Sequence, residues 1–313
     1  MSLDVLCLGL IVADHVCAPL RRFPPPGGLE MTERLELTIG GCAANVAVDL
    51  AKLGIRVGIG GRVGDDVLGR FVVDRLREQH VDCTAVSVSV TAQTAATLVV
   101  NVAHEDRRFL HAAGANVEFT GREIPKSLLT SSKIVYVGGI GLNPALSGAE
   151  VSRMFRQVRA SGHTTALDVV IGDPVELPAM LQEVLPHTDL FLPNNDEAEA
   201  ITGLKTPREQ ARRFREWGAR AVVITQGANG ALLSVGDDWL EAAAVPVTCV
   251  DGTGGGDAFV AGYLHGLLQG ADPASCLMYG TAMGASCVRS MGATTGVYNR
   301  EQLEAAVRAL AVR

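Results

Sequence analysis

The sequence predicts an α/β fold, a doubly wound and mainly parallel sheet flanked by helices, with a small second β-sheet beside it. Short apolar runs rich in β-branched residues recur along the chain with helical patterns between them, which is typical of parallel strands joined by crossover helices. These runs are apolar almost throughout, as strands buried on both faces are. Because 48% of the 313 residues are hydrophobic, the chain can bury a large core, and we expect one domain over residues 1–313.

The individual elements follow from this alternation. Strands are predicted at residues 5–13, 57–60, 134–137, 165–170, 190–192 and 221–225. Helices are predicted at residues 43–53, 67–78, 147–160, 196–202, 208–217, 257–268, 274–290 and 301–311.

Two segments depart from this pattern. Residues 21–38 and 95–110 alternate polar and apolar side chains with a period of two, which indicates half-exposed antiparallel strands. We expect a small sheet with strands within about 12–40 and 93–115 that acts as a lid. Two ordinary surface hairpins are the alternative interpretation.

Composition excludes several classes of protein. The net charge of -7 argues against a nucleic-acid binder, which would carry basic clusters. No run reaches the roughly 18 apolar residues needed to cross a bilayer, and the N-terminal apolar run lacks the basic leader of a signal peptide. The seven cysteines contain no CxxC pair and are expected to be reduced core residues. We therefore expect a cytoplasmic protein with a small-molecule partner and with neither a nucleic acid nor a membrane as partner.

The stretch from Val250 to Phe259 carries the strongest functional signal. Three consecutive glycines, Gly254, Gly255 and Gly256, precede Asp257 and an apolar run that predicts a helix. The amide groups of a helix N-terminus bind anions, phosphate above all, and a carboxylate beside a phosphate suggests proton transfer. Tight packing of a glycine-rich loop is the structural alternative.

Two further positions suggest binding of a ligand rich in hydroxyl groups. Gly40 and Gly41 open the first long helix, and Asn45, one turn into it, can both donate and accept hydrogen bonds. Asp14 is expected at the end of the first strand, where open α/β sheets bind ligands. Helix packing for the glycines and a turn cap for Asp14 are equally consistent with these features taken alone.

Amides and carboxylates also gather after the strand at residues 190–192. Asn194 to Glu199 can organise a divalent ion such as Mg²⁺ through water, because Mg²⁺ takes few direct protein ligands beside phosphate. A simple helix cap at Asn195 or Asp196, with Glu199 on a solvated face, is the alternative. Thr225 and Gly227 end the next strand as a phosphate-contacting turn would, although alone they indicate only a turn.

In their order and spacing these motifs resemble the ribokinase-like (PfkB) carbohydrate kinase family from Gly9 to about Gly296. The motifs that carry the resemblance are Gly40-Gly41 with Asn45, Gly114-Ala115-Asn116, Asn194-x-x-Glu197, Thr225-x-Gly227 and Asp251-x-x-Gly254-x-Gly256-Asp257. The resemblance implies the ribokinase-like fold with its lid, ATP and Mg²⁺ as cofactors, and a homodimer.

The resemblance also implies roles for individual residues. Asp257 corresponds to the catalytic base, and Gly254, Gly255 and Gly256 to the anion hole for the transferred phosphoryl group. The remaining correspondences are substrate binding by Asp14, Gly40, Gly41 and Asn45, nucleotide binding by Asn194, Thr225 and Gly227, organisation of Mg²⁺ through water by Glu197, and a monovalent-cation site, often for K⁺, at Asp251 with Ser290, Gly292 and Gly296.

The chain departs from the family pattern at two of these positions. Gly252 stands where the family usually has threonine, and Gly296 stands where the cation loop often ends in serine. These departures bear on potassium dependence and leave the reaction itself unaffected.

The predicted function is transfer of phosphate from ATP to the hydroxymethyl group of a ribose- or fructose-like sugar or a sugar acid. A nucleoside kinase of the same family, with Phe23 or Phe109 as a platform for the base, and a non-catalytic sugar- or nucleotide-binding protein are the alternatives. A phosphorylated acceptor would require a basic side chain, for which Arg62, Arg107 and Arg108 are candidates.

Two other nucleotide-binding classes fit less well. Residues 58–64 are glycine-rich but lack the GxGxxG spacing of a dinucleotide-binding dehydrogenase. Residues 121–127 imitate a P-loop but carry Pro125 where glycine is required.

Overall fold

The computed structural model describes residues 3–103, 105, 107–172 and 176–311. Thirteen strands and ten α-helices lie within these ranges. The strands are β1 Val5–Gly9, β2 Val12–Cys17, β3 Leu35–Gly40, β4 Val57–Gly64, β5 Asp82–Ser89, β6 Ala96–Val100, β7 Arg108–Ala112, β8 Ile134–Ile140, β9 Thr164–Val169, β10 Leu190–Phe191, β11 Ala221–Thr225, β12 Ala231–Val235 and β13 Asp238–Ala242. The helices are α1 Cys42–Lys52, α2 Val67–Glu78, α3 Lys126–Ser131, α4 Gly148–Ala160, α5 Leu177–Val184, α6 Asn195–Thr202, α7 Pro207–Glu216, α8 Gly255–Leu268, α9 Pro273–Cys287 and α10 Arg300–Ala311.

The main sheet has nine strands in the order β13-β12-β11-β10-β9-β8-β1-β4-β5. All neighbours are parallel except β11-β12 and β12-β13, which form antiparallel hairpins at one edge. Side chains of β1 alternate between two apolar clusters, Val5 and Cys7 on one face and Leu6 and Leu8 on the other. The predicted doubly wound α/β fold is therefore confirmed, with helices covering a sheet that is buried on both faces.

A separate four-stranded sheet, in the order β3-β2-β6-β7, lies beside the main one. The pairs β2-β3 and β6-β7 are antiparallel, whereas β2 and β6 are parallel, so the expectation of a purely antiparallel sheet is wrong. Its strands come from the two ranges predicted to form a lid, 12–40 and 93–115, of which residues 104 and 106 lie outside the described ones.

The predicted first strand, 5–13, is in fact two strands. β1 ends at Gly9 and β2 begins at Val12 in the other sheet. Gly9 has φ +127, a conformation that favours glycine, and a Cβ there would lie 2.2 Å from the carbonyl oxygen of Gly138. Asp14 therefore lies within β2 of the small sheet and not at the end of a core strand.

The sequence prediction missed α3, α5 and strands β5, β12 and β13. The glycine-rich segment 58–64 is part of strand β4, so it does not form a dinucleotide-binding turn. All seven cysteines are free, with Cys249 exposed, Cys42 half-buried and the other five buried. Among the described helices, none combines the length and apolarity that a bilayer crossing requires.

Candidate active site

The N-terminus of α8 forms the centre of the site. Gly254 caps the helix with φ +77, and a Cβ there would lie 2.5 Å from Ala293 Cα, so the turn requires glycine. The helix begins at Gly255, two residues earlier than predicted, so Asp257 lies in its first turn. Amides of this turn have no acceptor within the helix, and the space around Gly256 is open, which leaves room for an anion.

The carboxylate of Asp257 is held by a residue 212 positions away in the sequence. Asn45 Nδ2 donates to Asp257 Oδ2 at 2.8 Å. Burial raises the pKa of Asp257 to about 6, against the lowering effect of hydrogen bonds from Asn45 and Cys42, and the charge of Asp14 raises it further. A carboxylate with this pKa is ionised at neutral pH and can still accept a proton readily, which suits a general base.

Asp14 faces the start of α1 from the small sheet. A Cβ on Gly40 would lie 2.0 Å from Asp14 Oδ2, so glycine at this position makes room for the carboxylate. Burial raises the pKa of Asp14 to about 6, a hydrogen bond from Thr97 lowers it and the charge of Asp251 raises it. Asp14 Oδ1 is buried with no hydrogen-bond partner among the described residues. Because buried polar atoms are normally hydrogen-bonded, this oxygen is suited to accept a hydrogen bond from a ligand hydroxyl. Gly41, with φ +90, is the cap of α1.

Asp168, at the end of β9, belongs to the site and was missed by the sequence analysis. Its carboxylate accepts hydrogen bonds from Tyr136 Oη at 3.1 Å and from the backbone amide of Val169 at 2.7 Å. Ligand atoms of Asp168, Cys42 and Asp257 lie within 4.8 Å of one another. The signal that could have found Asp168 is its place at the carboxyl end of an apolar run, the same signal that pointed to Asn194.

Burial, followed by the charges of Glu197 and Asp257, raises the pKa of Asp168 well above its ordinary value. Burial, followed by the charge of Asp257, likewise raises the pKa of the Cys42 thiol well above its ordinary value. Cys42 therefore stays a thiol, and its S–H group donates a hydrogen bond to the carboxylate of Asp257.

Asn194 and Glu197 form a reciprocal capping box at the start of α6. Asn194 Oδ1 accepts from the amide of Glu197, and Glu197 Oε2 accepts from the amide of Asn194, both at 2.8 Å. The alternative of a cap at Asn195 or Asp196 is wrong, because Asn194 is the cap. Burial raises the pKa of Glu197 to about 7, the amide of Asn194 lowers it, and the charges of Asp257 and Asp196 raise it.

Thr225 and Gly227 lie next to this capping box. An isolated parallel bridge joins Asn194 to Thr225, and the amide of Thr225 donates to the carbonyl of Pro193 at 3.1 Å. Gly227 has φ +55 and open space where a Cβ would point. The residues predicted to contact the nucleotide are therefore brought together at one edge of the sheet.

Asp251 joins the loop before α8 to the loop after α9 through hydrogen bonds. Its Oδ1 accepts from the amide and the hydroxyl of Thr253, at 2.9 and 2.7 Å, and its Oδ2 accepts from the amide of Gly292 at 2.9 Å. The thiol of Cys287 donates to the carbonyls of Thr253 and Ala293, so both loops are held against it. The segments predicted to bind a monovalent cation are adjacent, and the cation itself stays a prediction.

Asn116, from the third motif, has a structural role. Its side chain donates to the carbonyl of Ile11 at 3.1 Å and accepts from the amide of the same residue at 3.3 Å. It thereby holds the connection between β1 and β2, which carries Asp14 into the site.

The charges of Glu197 and Asp257 add to burial in raising the pKa of Asp168, and the charge of Asp257 adds to burial in raising the pKa of Glu197. The negative charges of this cluster are therefore incompletely balanced by the described residues. A divalent cation would relieve this repulsion, and oxygen donors are those that Mg²⁺ prefers. The carboxylate oxygens of Asp168, Glu197 and Asp257 therefore form a donor set that fits Mg²⁺.

The fold and the site define a class of α/β protein in which a glycine-rich helix N-terminus with open space for an anion carries a hydrogen-bonded carboxylate in its first turn. Comparison with known proteins gives the same class. The pattern of the pfkB family carbohydrate kinase matches residues 2–300. The chain belongs to this family and is a phosphotransferase that acts on sugars or nucleosides.

Two relatives and one solved structure illustrate the similarity. The chain is 30% identical over 304 residues to the ATP-dependent 6-phosphofructokinase of Thermoanaerobacterium thermosaccharolyticum, covering 93% of this chain and 89% of that protein. It is 30% identical over 291 residues to the 2-dehydro-3-deoxygluconokinase of Bacillus subtilis, with 88% and 89% covered. The structure of Arabidopsis thaliana ribokinase complexed with ribose and ATP matches with a TM-score of 0.84 at 22% identity, covering 98% and 99%, which confirms the ribokinase-like fold.

Proposed function

We propose that this enzyme transfers the γ-phosphoryl group of ATP to a hydroxymethyl group of a sugar or sugar acid, with Asp257 as the general base. The observation that carries this proposal is the hydrogen bond of 2.8 Å between Asn45 and Asp257, which holds a carboxylate of raised pKa in place within the first turn of α8. The similarity to an ATP-dependent 6-phosphofructokinase supports ATP as the phosphoryl donor.

The chain supplies each part that an in-line transfer needs. Asp14, Gly40, Gly41 and Asn45 surround the acceptor, and Asp257 takes the proton of its attacking hydroxyl. The amides of Gly254, Gly255 and Gly256 stabilise the charge that develops on the transferred group. The nucleotide lies along Asn194, Thr225 and Gly227.

Asp168 and Glu197 would hold Mg²⁺ at the phosphates, directly or through water. When bound, Mg²⁺ neutralises phosphate charge and helps to align the phosphoryl group. Asp251 keeps the anion-hole loop in place through its three hydrogen bonds, and a monovalent cation such as K⁺ beside it would add to this support.

The Asp257→Ala variant tests the proposal. We expect its turnover to fall by at least ~10²–10⁴-fold, the usual contribution of a positioned base, with the KM of ATP little changed. Asp65→Ala, at an exposed carboxylate paired with Arg70, is the control and should keep normal turnover. Near-normal turnover of Asp257→Ala would refute the assignment.

A homodimer formed through the small sheet is also proposed. Strand β7 is exposed along its whole length, and its side chains Phe109 and Leu110 are 51% and 65% exposed, as is Leu35 of β3 at 59%. An edge strand with apolar side chains pairs readily with a second copy. The cytoplasmic location stays a prediction.

A further inference from the structure

Side chains from three separate elements bring a thiol and two carboxylates together in the site. Cys42 is the first residue of α1, Asp168 lies near the end of β9, and Asp257 lies in the first turn of α8. Their ligand atoms lie within 4.8 Å of one another. A tetrahedral Zn²⁺ ion, with bonds of about 2.3 Å to sulfur and about 2.1 Å to oxygen, holds two such donor atoms about 3.6 Å apart. Side-chain movements of about 1 Å would therefore bring all three donors onto one ion.

Hydrogen bonds already orient the two carboxylates. Asp168 accepts from Tyr136 Oη at 3.1 Å and from the amide of Val169 at 2.7 Å. Asp257 accepts from Asn45 Nδ2 at 2.8 Å. Partners of this kind fix the ligands of metal sites in their binding orientation. Asn45 is only 4% exposed, and its Oδ1 has no hydrogen-bond partner among the described residues, so it offers an unused acceptor for a water on a bound ion.

The thiol of Cys42 distinguishes this cluster from the oxygen donors that suit Mg²⁺. Mg²⁺ takes oxygen ligands and keeps several waters, whereas a thiolate selects thiophilic ions such as Zn²⁺. Without a metal, the thiol donates a hydrogen bond to Asp257. The charge of a bound dication favours the thiolate, so the sulfur–metal bond forms as the S–H bond breaks and the proton leaves to solvent.

An ion can enter this cluster from solvent. Cys42 is half-buried, and the neighbouring Gly256 is exposed with open space around it. Three protein ligands leave the fourth position of a tetrahedral ion to water. The cluster therefore has a mixed donor set, oriented ligands and an entry path, which are the features that a metal site requires.

We propose that Cys42, Asp168 and Asp257 form a binding site for a thiophilic divalent cation such as Zn²⁺, and that its occupation switches the enzyme off. When Asp257 is bound to the ion, it cannot take the proton of the acceptor hydroxyl. The loss of activity rests on the proposed function, in which Asp257 is the base. The metal site itself rests on the geometry of the three ligands.

Binding is measured on the full-length, nucleotide-free enzyme with Cd²⁺, because a bond between Cd²⁺ and a thiolate gives an ultraviolet charge-transfer absorption. The Cys249→Ser background removes the exposed thiol from this signal. We expect one Cd²⁺ per chain, displaced by Zn²⁺ but not by an excess of Mg²⁺. Cys42→Ser should abolish the absorption.

A carboxylate variant tests the second ligand while the thiol is retained. Loss of an outer partner of a metal ligand already weakens metal binding by about 10- to 100-fold, so Asp168→Asn should raise the Kd of Cd²⁺ by at least about this much. Asp65→Asn, at the exposed carboxylate paired with Arg70, is the matched control and should leave the Kd unchanged.

Inhibition is measured as turnover of an accepted sugar at saturating ATP and Mg²⁺, with free Zn²⁺ set by a metal buffer. At about ten times the Kd, about nine tenths of the sites are occupied, so turnover should fall about tenfold and return when a chelator removes the ion. The residual activity of Cys42→Ser should require at least about tenfold more Zn²⁺ for the same fractional loss. Cys249→Ser should be inhibited like the wild type.

Several results would overturn the inference. Absence of the Cd²⁺ absorption in the wild type, or its persistence in Cys42→Ser, would exclude the metal site. Binding without inhibition, or equal inhibition of the wild type and Cys42→Ser, would exclude the switch. If Cys42→Ser lacks a normal thermal unfolding transition, Cys42→Ala and Asp168→Asn decide by the same criteria.

The two proposals fail separately. Turnover of a sugar by an enzyme that does not bind Cd²⁺ refutes this inference and leaves the proposed function intact. Cd²⁺ binding at Cys42 without ATP-dependent turnover of any sugar refutes the proposed function and leaves the metal site intact.

Discussion

The hydrogen bond from Asn45 to Asp257 leads to a quantitative prediction about the pH dependence of catalysis. Asp257 must be ionised to take a proton, so activity is present above its pKa, which burial raises to about 6, and is lost as the pH falls through that value. Asn45 donates to the ionised carboxylate at 2.8 Å and so lowers this pKa. In Asn45→Ala the pKa of Asp257 must rise, and the acid limb of the kcat/KM profile must move to higher pH.

The size of the shift follows from the strength of that hydrogen bond. A hydrogen bond to a charged group contributes about 1.5–3 kcal/mol, and one pKa unit corresponds to about 1.4 kcal/mol. The acid limb should therefore move up by about 1–2 pH units, if the vacated space does not admit water to the carboxylate. Replacing the amide by water would leave a smaller shift in the same direction.

The assay is the initial rate at low acceptor concentration and saturating ATP and Mg²⁺ between pH 5 and 9. A terminal phosphate titrates near pH 6 as well, so the wild type and the variant are compared with the same nucleotide. The Asp257→Asn variant measures the residual activity that remains without the base. An acid limb that stays in place in Asn45→Ala, or moves to lower pH, would refute the view that this amide tunes the base.

Three further predictions concern the charges and surfaces around the base. Asp168→Asn should raise the melting temperature of the nucleotide-free enzyme by a few degrees, because a buried carboxyl with a raised pKa costs stability at neutral pH. The same variant should need a higher Mg²⁺ concentration for half-maximal rate, and an unchanged Mg²⁺ titration would contradict the role of Asp168 in holding Mg²⁺. Turnover should be higher in KCl than in choline chloride, and Asp251→Ala should remove this difference, whereas equal rates of the wild type in both salts would exclude activation by K⁺. Light scattering should show a dimer that Leu110→Glu converts to a monomer, and a wild-type monomer would exclude dimerisation through β7.

Local sequence patterns determined the class of fold and the main chemical groups. The alternation of apolar runs and helical patterns predicted the parallel sheet, and α2 was predicted with its exact bounds. The glycines before Asp257 predicted a helix start at Asp257, and the structure has a helix that begins two residues earlier, at Gly255. These features depend on neighbouring residues, whose periodicity and turn chemistry are visible in the sequence itself.

Contacts between distant parts of the chain were decided only by the tertiary structure. The turn at Gly9 divides the first apolar run between two sheets because a close approach to Gly138 requires glycine there. The hydrogen bond between Asn45 and Asp257 joins residues 212 positions apart, and Asp168 becomes part of the site only because β9 ends beside both helix starts. Burial, which sets the pKa values of these carboxylates, is a property of the assembled fold. The sequence by itself could therefore suggest Asp257 as the base but could not show how its proton affinity is adjusted.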